Sequence, residues 1–347
     1  MSVTSDDRID VAIVGAGIAG LACARDLVAA GLRVVVLEKS RGVGGRCATR
    51  RLMGQPVDIG LTYYHGDDPS LLAALAAVPA TVVPGWPLHI TGAGSPCHPA
   101  AFRPGQRRIA FAEGVNVFPK HLARDLDITL GARVSRVHAL PGRVELAVED
   151  GPSVVARDVV LTLPAPQAQA ILPQEHGLSL RAVHNLLEHV TTHPCITLVL
   201  GFPASGPAPD FDIHYPEHSP ALKLVAHDSS KRVDPTYRVL VVQAHAEWSR
   251  IALEDPPETW RAALIEETAR VVGPWVREPA WTEVQRWRYA KVDLATEVAA
   301  PMLFGLPGGG RLGLASEAFT LEAGVQGAYR AGRGLARRLL EDHAPRG

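Results

Sequence analysis

Residues 10–39 read DVAIVGAGIAGLACARDLVAAGLRVVVLEK. Asp10–Gly15 is an apolar run of strand length. Ala16–Ala30 carries Ile18, Leu21 and Val28 at helical spacing, facing a sheet, with Arg25 at the edge. Gly31 suits the C′ position of that helix, and Leu32–Lys39 is a second strand. A strand, a helix and a strand in about 30 residues form a βαβ unit with parallel strands. Its first turn holds Gly15-x-Gly17-x-x-Gly20. Gly15 permits the tight turn, Gly17 lets a pyrophosphate approach the backbone, and Gly20 lets helix and strand pack closely. The helix N-terminus offers free N–H groups and a positive dipole end. Glu38 ends the second strand 18 residues after Gly20. A carboxylate there accepts from a ribose diol and repels a 2′-phosphate, so the ligand is FAD or NAD and not NADP.

A second glycine run, GVGGR, follows at residues 42–46. NAD has no evident use for it. FAD has a ribityl chain and a flavin beyond its pyrophosphate, and further backbone N–H groups along that path suit it. Gly44 and Gly45 allow close approach, and Arg46 neutralises a diphosphate or fixes the cofactor's midsection. A later match to the first pattern, Gly308-x-Gly310-x-x-Gly313, precedes a strand and reads as a turn.

Three segments, IVGAGIAGLACARDL, LEKSRGVGGRCATRR and VDIGLTYY, resemble the start of the FAD-dependent amine oxidase superfamily. GGRCATR followed by D-x-G-x-x-Y looks most like its renalase branch. The resemblance continues through GVNVFPKHLARDL, GARVSRV, VVLTLPAPQA, HDSSKR, HAEWS, RWRYA and LGLASEAFTLEAGVQGAYRAG. It implies FAD contacts at Gly15, Gly17, Gly20, Glu38, Lys39, Gly45, Arg46, Val134, Glu317 and Val325. Ser316-Glu317 stands where a Gly-Asp pair is usual. A helix from about Leu321 would aim its N-terminus at the flavin. The resemblance implies oxidation of isomeric reduced nicotinamide dinucleotides, with oxygen as reoxidant. It also implies a substrate pocket holding Tyr63, Ser229, Gln243 and His245. Ser229 and Gln243 depart from the branch, which commonly has Asn and His there. Residues two apart on a strand share a face, so His245 takes part of the role of position 243. His65 reads as a hydrogen-bonded structural residue more than a catalytic one.

Other classes fare worse. The net charge is −1 and basic pairs are scattered, which disfavours nucleic acid. Four cysteines, none in a C-x-x-C pair, and no H-E-x-x-H argue against a metal site. They fit a reducing cytoplasm. The N-terminal stretch lacks a signal-peptide core, and no run of about 20 apolar residues suggests a membrane span. Ser229 and Ser316 lack a G-x-S-x-G context. Two alternatives stay open. One is an amine oxidase or desaturase-type flavoenzyme; an amine oxidase would want an aromatic cage, for which the sequence offers no assignable pair. The other is a non-enzymatic FAD-binding protein.

The expected architecture is α/β. A Rossmann-like FAD-binding domain of GR2 type, with a parallel sheet and helices, spans residues 1–78, 127–165 and 301–347. An inserted α+β substrate domain with a mostly antiparallel sheet spans 79–126 and 166–300. Among the elements read are a helix over Asn116–Leu126 and a strand over Tyr237–Trp248.

Overall fold

Strand β1 (Ile9–Val14) is flanked on both sides by parallel strands. The computed structural model describes residues 9–173, 178–306, 308–322 and 324–341. Residues 1–8, 174–177, 307, 323 and 342–347, which the domain reading included, lie outside the described residues. The described chain falls into two compact units.

The first unit comprises residues 1–45, 118–192 and 292–347. Helix α1 (Ile18–Ala29) follows β1, and β2 (Val34–Glu38) follows α1, so the βαβ reading is realised, except that Val28 is exposed and Leu27 takes the inward place. Parallel strands run in the order 127–130, β2, β1, 154–161 and 311–314, with antiparallel strands at 134–140, 143–148 and 302–305. Val14 pairs with Leu37 on one side and Leu161 on the other, so these three strands end level. Gly15 and Glu38 therefore sit at the carboxyl edge of the sheet, where open α/β sheets bind ligands. All five residues of β2 are buried, as fits a strand covered on both faces. Leu21 and Leu27 on the inner face of α1 are fully buried, each contributing about 1.5–3 kcal/mol over exposure. Helix Gly324–Glu341 packs against α1, and Arg333 Nε meets Asp26 Oδ2 at 2.8 Å.

The second unit comprises residues 46–117 and 193–291. Its main sheet is mostly antiparallel, in the order 281–292, 192–203, 237–244, 222–227, 213–214 and 90–91. One face packs Leu198, Leu200, Leu240 and Val242 against helix Pro257–Val272. The other face packs Val199, Val239 and Val241 against Val57, Ile59, Tyr63 and Trp86.

Four further details depart from the sequence reading. Residues 46–78 group with the second unit because side chains tie them there. Gln55 and Tyr237 exchange two hydrogen bonds (2.9 and 3.0 Å), and Trp287 Nε1 donates to the Ile59 carbonyl oxygen at 3.1 Å. Residues 118–126, 166–192 and 292–300 group with the first unit, where Val183, Leu187 and Val292 join its core. The helix at 116–126 is shorter, Val117–Leu122, and Asp125 takes a left-handed φ of 61° that no helix continues through. The strand from Tyr237 ends at Ala244. His245 N–H donates to the Ala221 carbonyl oxygen (2.7 Å), and helix Ala246–Ala252 begins at once.

Candidate cofactor cradle and substrate-side cluster

In the first unit the two glycine runs meet. Gly44 N–H donates to the Ala16 carbonyl oxygen at 2.8 Å, and a Cβ on Gly45 would come within 3.7 Å of the Gly17 Cα. Gly15, at φ 106°, turns the chain out of β1. Gly17 is the N-cap of α1, and no side chain caps that helix or puts a carboxylate in its first turn. A Cβ on Gly17 would meet nothing within 4 Å, so that face of the turn is open. A Cβ on Gly20 would run into the Gly15 carbonyl oxygen, as close helix–strand packing requires. Glu38 is buried and held at both oxygens: Oε2 accepts from Ala16 N and Oε1 from Ser40 N, each at 2.8 Å. A carboxylate fixed beside an uncapped helix N-terminus, with an open glycine face between, is a fit for a dinucleotide.

The remaining sequence-predicted contacts are spread along the chain. Lys39 follows Glu38 and is exposed, and Val134 is buried opposite Val148. Glu317 is buried, and its Oε1 accepts from Gly324 N at 3.4 Å, so this carboxylate caps the last helix. That helix starts at Gly324 and not near Leu321; Val325 lies in its first turn, half-buried. Arg46 belongs to the second unit, where its Nη1 donates to the Ala290 carbonyl oxygen at 3.1 Å.

The substrate-side candidates all lie in the second unit. Tyr63 is 2 % exposed, and its hydroxyl lies beside that of Tyr215. Its ring packs edge-on against Trp86 (centroids 5.8 Å apart, 67°) and lies 6.3 Å from the His65 ring, itself 5.1 Å from His98. Burial pushes the Tyr63 phenol up to about 12 and raises Tyr215 beside it. Burial, then His65, Lys291 and Lys223, pushes His98 down to about 3, so its imidazole is neutral. Burial likewise lowers His65. The protein's own cation sits over the Trp86 ring: Lys231 Nζ lies 4.6 Å from the ring centroid.

Gln243 Nε2 donates to the Gly60 carbonyl oxygen at 2.6 Å and so anchors the segment leading to Tyr63. Ser229 is buried, and its hydroxyl accepts from Val239 N at 2.9 Å. It lines a cavity of about 510 Å³ with His227, Asp234 and Arg238. His245 is not on the strand of Gln243, because that strand has ended. It precedes a helix and lines a different cavity, of about 560 Å³, with Pro220, Trp248 and Ile251. The structure thus ties Gln243 to the segment of Tyr63, puts Ser229 in the turn that holds Trp86, and leaves His245 elsewhere.

Sequence reasoning missed the charges that hold this cluster. Lys231 Nζ meets Asp58 Oδ2 at 2.7 Å and Asp228 Oδ1 at 2.9 Å. Arg232 Nη2 meets Asp58 Oδ2 at 2.8 Å and Asp228 Oδ2 at 2.7 Å. Burial alone would raise the Asp58 carboxyl, but Lys231 and Arg232 outweigh it and hold it below the ordinary range. The available signal was the density of charge in HDSSKR, directly after an apolar strand. Since the buried Tyr63 hydroxyl has only the neighbouring Tyr215 hydroxyl to engage among the described residues, Tyr63→Phe is expected to change stability by no more than about 1 kcal/mol in urea unfolding. A larger loss would reveal a further partner for that hydroxyl.

Among the described residues no group of three or more His, Cys, Asp or Glu is arranged to hold a metal ion, and no helix is long and apolar enough to cross a membrane. The chain is similar to a putrescine oxidase of Kocuria rosea, 48 % identical over 72 residues, or 21 % of this chain and 15 % of that protein. It is also similar to a pseudooxynicotine dehydrogenase of a Pseudomonas species, 39 % identical over 62 residues, or 18 % of this chain and 12 % of that one. The chain thus matches less than a fifth of the length of these curated relatives. Among solved structures, putrescine oxidase bound to putrescine shares the fold with a TM-score of 0.73 at 17 % identity, covering 96 % of this chain and 99 % of the other. Cyclohexylamine oxidase from Brevibacterium oxydans gives a TM-score of 0.72 at 15 % identity, covering 97 % and 99 %. Residues 13–78 match the NAD(P)-binding Rossmann-like domain. Residues 86–340, well over half of the chain, match the flavin-containing amine oxidoreductase family, and the chain belongs to that family, with FAD as its cofactor.

Proposed function

We propose that this chain is a FAD-dependent oxidoreductase of renalase type, which takes a hydride from an isomeric reduced nicotinamide dinucleotide or a close anionic analogue. The charge around Tyr63 carries the reading. Beyond the Asp58, Asp228, Lys231 and Arg232 group, whose charges balance, the charged groups acting on the cluster are Arg108 at Tyr63, Lys223 and Lys291 at Cys97 and His98, and the exposed carboxylate of Asp67 at His65. Lys223 Nζ and Lys291 Nζ are seated on the Ser95 and Cys97 carbonyl oxygens, at 2.7 and 3.3 Å. Three cations against one solvated carboxylate favour a substrate that brings negative charge. A diammonium would also find the Trp86 face already covered by Lys231.

In this proposal the first unit is the FAD-binding domain and the second the substrate domain. Gly17, Gly45 and the α1 N-terminus hold the diphosphate, and Glu38 the adenosine ribose. Tyr63 and Gln243 stand on the substrate side. Hydride loss from a dihydronicotinamide releases no proton, so the step needs no base in the cluster, where burial holds the His98 imidazole neutral. Bound FAD supplies the two-electron acceptor, and oxygen, reduced to hydrogen peroxide, is the final oxidant.

An amine oxidase is the second reading, favoured by the Tyr63–Trp86–Tyr215 grouping and by the relatives' names. Anaerobic mixing decides between them. NAD reduced by borohydride, which contains the isomers, is expected to bleach the flavin band of the purified holoprotein, and putrescine is not. Bleaching by putrescine alone would establish the second reading, and bleaching by neither would leave a non-enzymatic FAD protein.

A further inference from the structure

The short turn Asp228–Lys231 commits every one of its side chains. Asp228 pairs with Lys231 and Arg232, and its Oδ1 accepts from the Asp58 backbone N at 3.3 Å. Ser229 takes the Val239 N–H and so fixes the turn to the sheet. The Ser230 hydroxyl accepts from Trp86 Nε1 at 2.8 Å and donates to Asp212 Oδ1 at 2.7 Å. Lys231 is fully buried and spends its three ammonium protons on Asp58, Asp228 and the Thr62 carbonyl oxygen, the last at 2.8 Å. Trp86 is therefore gripped at its edge by Ser230 and on its face by Lys231. Tyr63 follows Thr62 directly and packs on Trp86.

We propose that this turn is a positioning device for Tyr63. Lys231 acts as the positioning residue, through the Thr62 carbonyl and the Trp86 ring. The role of Tyr63 itself rests on the function proposed above. A buried ion cluster adds little net stability over an apolar isostere, so its geometry suits fixing one backbone carbonyl and one ring better than it suits stabilising the fold. Lysine fits the task because its three donors radiate from one atom to three acceptors.

The test uses the purified holoprotein with the pair Asp58→Asn and Lys231→Met, which removes one charge of each sign and keeps the cluster neutral. Hydrogen exchange read by mass spectrometry compares the peptide over residues 59–66 with that over 258–271, a helix of the same unit. A positioning role predicts exchange at 59–66 faster by about tenfold with 258–271 unchanged. A merely stabilising role moves both together or neither, and that result overturns the proposal. Flavin bleaching by borohydride-reduced NAD gives a second readout: the pair is expected to slow it in the Tyr63 protein and to have no further effect in the Tyr63→Phe background. An equal effect in both backgrounds also overturns the proposal. If the wild type is not bleached at all, the functional reading fails while the exchange result still decides the positioning role. Should the pair fail to fold, Lys231→Arg, which keeps the charge balance but not the three-way donor geometry, is read by the same exchange comparison.

Discussion

Arg232→Met is expected to cost about 3–5 kcal/mol of folding stability, because it leaves two buried carboxylates sharing one cation, Lys231, and one negative charge of the cluster uncompensated. Asp228 would lose the guanidinium that grips it at 2.7–3.1 Å, and Lys231 would be the one cation left to Asp58 and Asp228 together. The Phe111 and Ala112 carbonyl oxygens would lose their donor as well. Urea unfolding of the purified protein is the direct measurement. Replacing both Asp228 and Arg232 by leucine and methionine is expected to recover much of the loss, since removing a pair costs far less than orphaning one partner. If Arg232→Met unfolds at the wild-type midpoint, the cluster is not the closed arrangement described here. The pH dependence follows the same charges. Asp58 is held below its ordinary value when folded. Its contribution is complete above the unfolded value of about 4 and is lost as pH falls through the lower folded one. The imidazoles of His65 and His98 are also held low. They favour the folded state fully above about 6.5 and progressively less below it. Acid should therefore erode stability in two stages, the first from the histidines. In Arg232→Met the second stage should begin at higher pH, because one of the two cations that depress Asp58 is gone.

What could be read from the sequence follows the range of the interactions. The βαβ unit was legible because each cue is local: an apolar run, a 3.6-residue period, glycines at fixed offsets and an acid at the strand end. The second glycine run was legible as a cofactor element, but its contact with the first, Gly44 to Ala16, appears only when the strand and loop are folded. His245 was misplaced because alternation on a strand was extended past the strand's end. The run Ala246–Ala252 carries its own helical pattern, with Ser249 and Ala252 buried. The Asp58–Lys231 pair is separated by 173 residues, and no local period connects its members. The aromatic grouping of Tyr63, Trp86 and Tyr215 was illegible for the same reason: three single residues on three segments join only across a sheet face. Residues 46–78 follow the Rossmann motif in sequence yet fold with the second unit, because their ties, from Gln55, Asp58 and Ile59, are all long-range.

Gly17→Val is expected to separate cofactor binding from folding. Gly17 has φ −77° and ψ 178°, an extended conformation that a β-branched residue adopts without strain. A Cβ there meets no protein atom within 4 Å, so the apo fold should change by no more than about 0.5 kcal/mol. The added methyl groups would instead fill the space in front of the α1 N-terminus, where a diphosphate must approach the backbone. Affinity for FAD should fall by about 100-fold, equivalent to about 2.7 kcal/mol, and the protein should purify with little or no yellow colour. Gly20→Ala supplies the contrast. Its Cβ would strike the Gly15 carbonyl oxygen and approach Thr162 Oγ1 to 2.9 Å, so it should destabilise the first unit by about 1–3 kcal/mol through overpacking. Absorbance of the purified variants, fluorescence titration with FAD and urea unfolding together read both effects. A Gly17→Val protein that retains full flavin and normal affinity would mean that the diphosphate does not cross this turn. A Gly17→Val protein that loses flavin only because it unfolds would mean that the open face is filled by something the fold itself requires. Only the combination of an intact fold and a lost cofactor is consistent with a surface shaped for a ligand and left bare by the protein's own packing.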